Sequence, residues 1–195
     1  MTTTNIYLTG VGGQGIGLLS DVLSRALCAA GYPVIGSDTH GLAQRGGKVV
    51  SHLRISPRGI GPVIPPHGAD FVLALERLEA LRAARDMLKP GGHLIHCEVE
   101  VQPIAVRMGA DAYPTDSEIE RAVRLKRGTR IRVDTRGLFH PQHQNTALMA
   151  AFVQRRLIDG LTPERVAAAL EQILPLAAWD ANREILYREQ GRVGV

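Results

Sequence analysis

Two cysteines occur in the 195 residues, Cys28 and Cys97. They lie far apart and outside any CxxC spacing, so the chain's own thiols can build neither a disulfide framework nor an iron–sulfur or zinc site. Aromatic side chains are as sparse, at 4% of the sequence, which argues against a stacking platform for single-stranded nucleic acid. No apolar run approaches the ~18 residues of a membrane span, and Met1-Thr2-Thr3-Thr4 lacks the basic and apolar regions of a secretion signal. GxSxG, Walker A, HExxH and zinc-deaminase signatures are missing, as is any spacing that pairs carboxylates for acid–base work. These gaps predict a cytoplasmic protein with no catalytic residue, no metal site and neither a membrane nor a nucleic-acid partner.

What is present suits an ordinary core. Hydrophobic content of 45% and charged content of 22% are near globular averages, and the length predicts one domain over 1–195. A net charge of +4 with a pI near 9.4 leaves an acidic partner open. The basic residues cluster between Arg121 and Arg136, with Arg124, Lys126, Arg127, Arg130 and Arg132 among them. Glu118, Glu120 and Asp134 interleave with these, so the segment reads first as a solvated face and only second as a surface for nucleic acid, acidic protein or coenzyme phosphate.

Along the chain, Asn5–Thr9 reads as a strand, and Leu18, Leu19, Val22, Leu23, Ala26 and Leu27 recur at helical spacing up to Gly31. Pro33–Gly36 follows as a second strand, and the β-α-β order predicts a parallel pair by right-handed crossover. Lys48–Ile55 then comes after a short loop without a helix, so it is expected to run antiparallel to a neighbour in a mixed sheet. The proline-rich stretch from Pro57 to Pro66 reads as a connector. Asp70–Leu75 predicts a buried strand, and Glu76–Leu88 a helix with Leu78, Leu81 and Leu88 on one face, stopped by Pro90-Gly91-Gly92. His93–Cys97 predicts a strand, 101–108 is a candidate for another, a helix starts near Asp116, and Arg130–Val133 closes the sheet. Helices follow at Asn145–Ile158, from Thr162-Pro163-Glu164 to Leu174, and at about Trp179–Gln190. The fold class predicted is three-layer α/β/α: a mixed, mostly parallel, Rossmann-like sheet over about 1–140, and a helical C-terminal extension over about 143–190.

Two loops carry the functional signal. Gly10-Val11-Gly12-Gly13-Gln14-Gly15 links the first strand to the first helix and matches the GxGxxG spacing, with Asp38 near where a ribose-binding acid would stand. Such a turn offers backbone N–H groups and a helix N-terminus to an anion, yet the chain lacks the further parallel units of a full dinucleotide domain, and a tight packing turn explains the glycines equally well. The second loop is His40-Gly41-Leu42-Ala43-Gln44-Arg45-Gly46-Gly47. Its glycine pair permits close approach of another surface, and Arg45 can fork onto a carboxylate or phosphate. An exposed apolar or glycine-rich patch is expected around both loops. Among the seven histidines, His140 and His143 are the one close pair in a loop, without a companion carboxylate or cysteine. His93 and His96 fall on opposite faces of a strand.

Read together, GVGGQG at 10–15, HGLAQRGGKVVSHLRI at 40–55, GPVIPPHGADFVLALERLEALR at 61–82, LKPGG at 88–92 and the helices around Asn145 and Asn182 resemble the γ-type domain of 2-oxoacid:ferredoxin oxidoreductases. Within that family the likeness is greatest to small (β) subunits acting on indolepyruvate. Leu42 stands where methionine is usual and Lys48 where a small residue is usual. The resemblance implies an accessory subunit of an enzyme that decarboxylates a 2-oxoacid oxidatively to an acyl-CoA and carbon dioxide, passing electrons to ferredoxin or another low-potential acceptor. It implies a large catalytic partner subunit holding thiamine diphosphate, magnesium and [4Fe-4S] clusters, with coenzyme A as co-substrate. Gly10, Gly12, Gly13, Gln14, Gly15, His40, Gln44, Arg45, Gly46 and Gly47 would then be cofactor-binding or interface residues. Two other readings stay open: a stand-alone nucleotide-binding oxidoreductase using Gly10, Gly12, Gly15 and Asp38, and a basic binding module resting on 121–136.

Overall fold

The computed structural model describes residues 2–39, 47–101, 104–109, 112–138, 140–188 and 192–193. Seven strands form one sheet among these residues: β1 (Thr4–Val11), β2 (Val34–Thr39), β3 (Lys48–Ile55), β4 (Ala69–Ala74), β5 (Leu88–Cys97), β6 (Thr129–Val133) and β7 (Arg192–Val193), in the order β2-β3-β1-β4-β5-β6-β7. β1, β4, β5 and β6 run parallel, while β3 is antiparallel to both β1 and β2, and β7 antiparallel to β6. The mixed sheet is therefore as expected, with one correction: β2 does not pair with β1. β3 lies between them, because the short 40–47 connection returns the chain beside β1 before β2 can occupy that edge.

The helices are α1 (Ile16–Ala29), α2 (Arg77–Asp86), α3 (Ile104–Arg107), α4 (Asp116–Leu125), α5 (Gln144–Val153), α6 (Pro163–Glu171) and α7 (Leu176–Tyr187). α1 buries Ile16, Leu19, Val22, Leu23, Ala26 and Leu27; all but Ile16 belong to the inward stripe that the sequence spacing predicts, of which Leu18 is only half-buried. One apolar layer joins that stripe to the inner faces of Leu73, Ile95, Ile131 and the helices α5 and α6. The opposite faces, Val72, Ala74 and Leu94, pack on Leu81 and Ala84 of α2 and on Ile119 and Val123 of α4. Strand alternation thus sends successive side chains into two cores, which makes the three layers.

α5 is buried at every residue from Asn145 to Val153, as befits a helix enclosed by α1, α7 and the sheet. α6 starts as its sequence predicts: the Thr162 hydroxyl accepts from Arg165 N–H at 3.4 Å and Pro163 occupies the first turn. Two expectations fail. Residues 104–107 are helical, not part of a strand. Pro90-Gly91-Gly92 lies within β5, since α2 already ends at Asp86, and Leu88 belongs to β5, not to the helix face. There the register with β4 shifts between Ala69–Leu88 and Phe71–His93, so the segment 89–92 bulges out and Lys89 pairs with the Asp70 carboxylate. A Cβ on Gly92 would stand 2.8 Å from Leu88 Cδ1 and 3.0 Å from the Asp70 carbonyl. The glycine permits the bulge to close.

Candidate functional site: a cleft at the ends of the parallel strands

β1 leads into α1 on one face of the sheet and β4 into α2 on the other. The boundary between β1 and β4 is therefore the point where the winding direction reverses, and open α/β sheets receive ligands at that place, beyond the strands' C-terminal ends. The Gly10–Gly15 turn lies there. Gly13 and Gly15 adopt φ of 98° and 80°, in the region that L-residues avoid. Gln14 N–H closes the turn onto the Val11 carbonyl at 3.1 Å, and Gly12 N–H donates to the Gly47 carbonyl at 2.9 Å. The end of the second loop is thus bonded to the first.

The Gln14 side chain folds inward. Its Oε1 accepts from Val11 N–H at 2.8 Å, and its Nε2 donates to the Leu75 carbonyl, just after β4, at 3.1 Å. α1 then starts from Gly15 with no side-chain cap on its first amides.

The facing wall comes from a 3₁₀ turn, Pro141–His143, the start of α5, and the start of α7. Between the walls lies a cleft of about 1030 Å³, with Leu18, Val101, Leu174 and Ala178 supplying apolar surface. Asn145, only 4% exposed, donates from Nδ2 to the Gly15 carbonyl at 3.3 Å, while its Oδ1 has no hydrogen-bond partner. His143 Nδ1 is likewise buried without one. Burial, reinforced by neighbouring His140, holds the His143 pKa below the usual histidine range, so the ring is neutral near pH 7. The Thr146 hydroxyl donates to Asn182 Oδ1 at 2.5 Å and Asn182 Nδ2 donates to the Ala178 carbonyl at 2.8 Å, which ties α5 to α7 across the cleft floor.

Of the sequence-predicted site residues, Gly12, Gly13, Gln14 and Gly15 line this cleft, and Gly10 is buried beneath it. Gly47 is joined to Gly12. His40, Gln44, Arg45 and Gly46 lie outside the described residues. Gly13 and Gly15 are exposed, so the C-terminal helices face the turn across the cleft and do not cover it. Asp38 is not placed as a ribose-binding acid: it lies in β2, which β3 separates from β1, and its Oδ1 accepts from the Ser20 hydroxyl at 3.1 Å. His143 and Asn145 were not singled out as cleft residues. The sequence shows them only as half of a histidine pair and the start of a helix.

The basic segment is not uniformly solvated. Arg130 is 3% exposed; its Nε donates to His96 Nε2 at 3.0 Å and its outer nitrogens reach Asp116 and Glu120. Arg132 pairs with Glu98 and Arg136 with Asp134. The Arg130 hydrogen bond holds the Asp116 carboxyl below the usual range. Just past β4, fully buried Glu76 caps α2 by accepting from Glu79 N–H at 3.0 Å and takes the Tyr113 hydroxyl on its other oxygen. Desolvation raises its pKa even so. Among the described residues no group of three His, Cys, Asp or Glu side chains is placed to hold a metal ion. Nor is any helix among them long and apolar enough to cross a membrane.

The order of strands and the turn at their reversal point define a Rossmann-like α/β protein of the class whose sites form at strand C-termini. Residues 5–188 match the family model described as "Pyruvate ferredoxin/flavodoxin oxidoreductase", and the chain belongs to that family as a domain of its γ or small-subunit type. It is 39% identical over 123 residues to "Indolepyruvate oxidoreductase subunit IorB" of Pyrococcus horikoshii, covering 63% of this chain and 60% of that one. To the protein of the same description from Archaeoglobus fulgidus it is 42% identical over 115 residues, or 59% of this chain and 56% of that one. The matches therefore span about 60% of the relatives' length. Among solved structures, the PORC subunit of pyruvate oxidoreductase from Thermotoga maritima superposes with a TM-score of 0.70 at 20% identity, covering all of both chains. A 2-oxoglutarate:ferredoxin oxidoreductase from Magnetococcus marinus, solved with 2-oxoglutarate, coenzyme A and succinyl-CoA, superposes with a TM-score of 0.63 at 16% identity, over 95% of this chain and 31% of that one.

Proposed function

We propose that this chain is a single-domain accessory subunit of a cytoplasmic 2-oxoacid:ferredoxin oxidoreductase, with indolepyruvate or another aryl-pyruvate as substrate. The observation that carries the reading is the identity of 39% and 42% to two proteins described as a subunit of indolepyruvate oxidoreductase. The large catalytic subunit binds thiamine diphosphate, magnesium and [4Fe-4S] clusters and does the chemistry, yielding acyl-CoA and carbon dioxide and reducing ferredoxin or a similar acceptor. A donor set of its own is not offered by this chain's thiols, since Cys28 is exposed on α1 and Cys97 is buried at the end of β5. The two glycine loops form the contact region, with Gln44 and Arg45 touching the partner or coenzyme A.

Coexpression with a large subunit of an indolepyruvate:ferredoxin oxidoreductase tests the reading. The chain purified alone is expected to be colourless and without turnover, and indolepyruvate oxidation to appear on reconstitution. Arg45→Ala is expected to weaken assembly or turnover by about 1.5–3 kcal/mol, the range for a hydrogen bond to a charged group. Arg45→Lys is expected to restore only part of it, since a point charge lacks the fork. Turnover by the isolated chain, or wild-type behaviour of Arg45→Ala, counts against the proposal.

A further inference from the structure

The Gly10–Gly15 turn matches a dinucleotide fingerprint in spacing, and it lies at the reversal point of the sheet where such a ligand's pyrophosphate is received. Part of the backbone at that point is already bonded within the chain, although the first amides of α1 carry no side-chain cap. Val11 N–H is taken by Gln14 Oε1, and the Leu75 carbonyl across the boundary is taken by Gln14 Nε2. One planar carboxamide, an acceptor on one side and a donor on the other, bridges β1 to the residue after β4. Gly12 N–H is spent on Gly47.

The fit is close. A Cβ on Gly10 would stand 2.9 Å from Gln14 Oε1, so that glycine makes room for the chain's own glutamine. Leu75 N–H continues the β1–β4 pairing by donating to the Thr9 carbonyl at 3.0 Å. The ends of β1 and β4 are therefore joined to the turn beneath the cleft that Gly12–Gly15 line. Asp38, the acid that a ribose would need beside β1, is one strand further out and bonded to Ser20.

We infer that Gln14 is a positioning residue whose carboxamide bridges β1 to the residue after β4 and holds the turn from Gly12 to Gly15 in the shape its partner meets. The bridge rests on this chain's geometry alone, and the partner's need for that shape rests on the subunit reading. Asparagine, one methylene shorter, cannot reach both strands. Glutamate keeps the length but replaces the donor with a second acceptor, which faces the Leu75 carbonyl unless the carboxyl is protonated.

The test uses amide exchange on the full chain and affinity measurements on the reconstituted complex for wild type, Gln14→Ala and Gln14→Glu. Wild type is expected to protect the Val11 amide. Gln14→Ala is expected to speed Val11 exchange at least tenfold while Ile6 and Leu8 are unchanged, and to weaken the partner at least tenfold. Gln14→Glu is expected to behave like Gln14→Ala at pH 8 and to regain Val11 protection, relative to wild type at the same pH, as the carboxyl protonates. A general packing defect would not produce that recovery. Unchanged Val11 exchange in Gln14→Ala overturns the assignment of the bridge. A response at Val11 with unchanged partner affinity overturns the shaping role, whereas failure of wild type to assemble at all refutes the subunit reading instead.

Discussion

Asn145 Nδ2 donates to the carbonyl of Gly15, joining the first turn of α5 to the left-handed residue that begins α1. Thr146, next to it, is bonded to Asn182 of α7, and Asn182 to Ala178 one turn back. A single set of hydrogen bonds therefore links the glycine turn, α5 and α7. The helical extension is in this way part of the site's geometry, and a disturbance of either wall is felt by the other.

Substitution at Asn145 measures that link. Asn145→Ala is expected to cost about 1 kcal/mol, the net worth of one neutral hydrogen bond, and to lower the melting temperature by about 2–4 °C for a protein of this size. Asn145→Asp is expected to cost more, because a carboxylate would face the Gly15 carbonyl with no donor between them. Equal stability of the two variants in urea titrations would show that the contact carries no weight.

Gly15 and Gly17 are two residues apart and are predicted to respond with opposite sign. Gly15 has φ of 80°, and a Cβ there would stand 2.5 Å from Asn145 Nδ2. Gly15→Ala combines left-handed strain with displacement of that side chain and is expected to cost about 1–3 kcal/mol. Gly17 is helical and exposed, with nothing near its missing Cβ. Gly17→Ala is expected to stabilise the protein by roughly 0.5–1 kcal/mol through helix propensity. Thermal melts of the two variants beside wild type give the answer.

The two thiols are predicted to differ in reactivity. Cys28 is exposed, whereas Cys97 is fully buried, beside the Gln144 carbonyl, with its pKa pushed up by desolvation. A disulfide reagent is expected to titrate one thiol in the native protein and a second only after urea unfolding. Two fast thiols in the native state would contradict the packing of β5 against α5.

Much of the fold was legible because its signals are local. The apolar spacing from Leu18 to Leu27 fixed the inner face of α1, Thr162-Pro163 marked the start of α6, and the short connection before Lys48 required an antiparallel strand. The misreadings share a different cause. That β3 separates β2 from β1 is a long-range pairing choice, and that Pro90-Gly91-Gly92 lies in a strand depends on Lys89 reaching Asp70 and on the register of β4, neither of which spacing reveals. The site divided in the same way. The glycine turn is visible as a motif, but the opposite wall, His143 and Asn145, is assembled from residues about 130 positions away from Gly15, and Gln14 reads as a ligand-facing residue until its two internal hydrogen bonds are seen. Arg130 looked like one more surface charge because its partners His96 and Asp116 come from β5 and α4.

His96 makes the stability of the fold depend on pH. It is fully buried, its Nε2 accepts from Arg130, and Nδ1, at 3.1 Å from the Cys97 carbonyl, is the nitrogen that carries the proton. Burial, and after it the Arg130 charge, depress its pKa to about 3. In the unfolded chain the same ring titrates near 6.5. Between these values the unfolded state binds the extra proton and the folded state does not, so stability falls as pH drops from 6.5 toward 3 and is fully present above that window. The slope contributed by this one group approaches about 1.4 kcal/mol per pH unit. His52, His93 and His143 are shifted the same way and Glu76 the opposite way, so the group is isolated by comparing wild type with His96→Gln, in which the others persist. Urea unfolding from pH 4 to 8 is expected to show that the variant is less stable near pH 8 but loses less stability on acidification. Parallel curves for the two proteins would mean that His96 titrates in the fold as it does in the unfolded chain, which its burial and the guanidinium at 3.0 Å oppose.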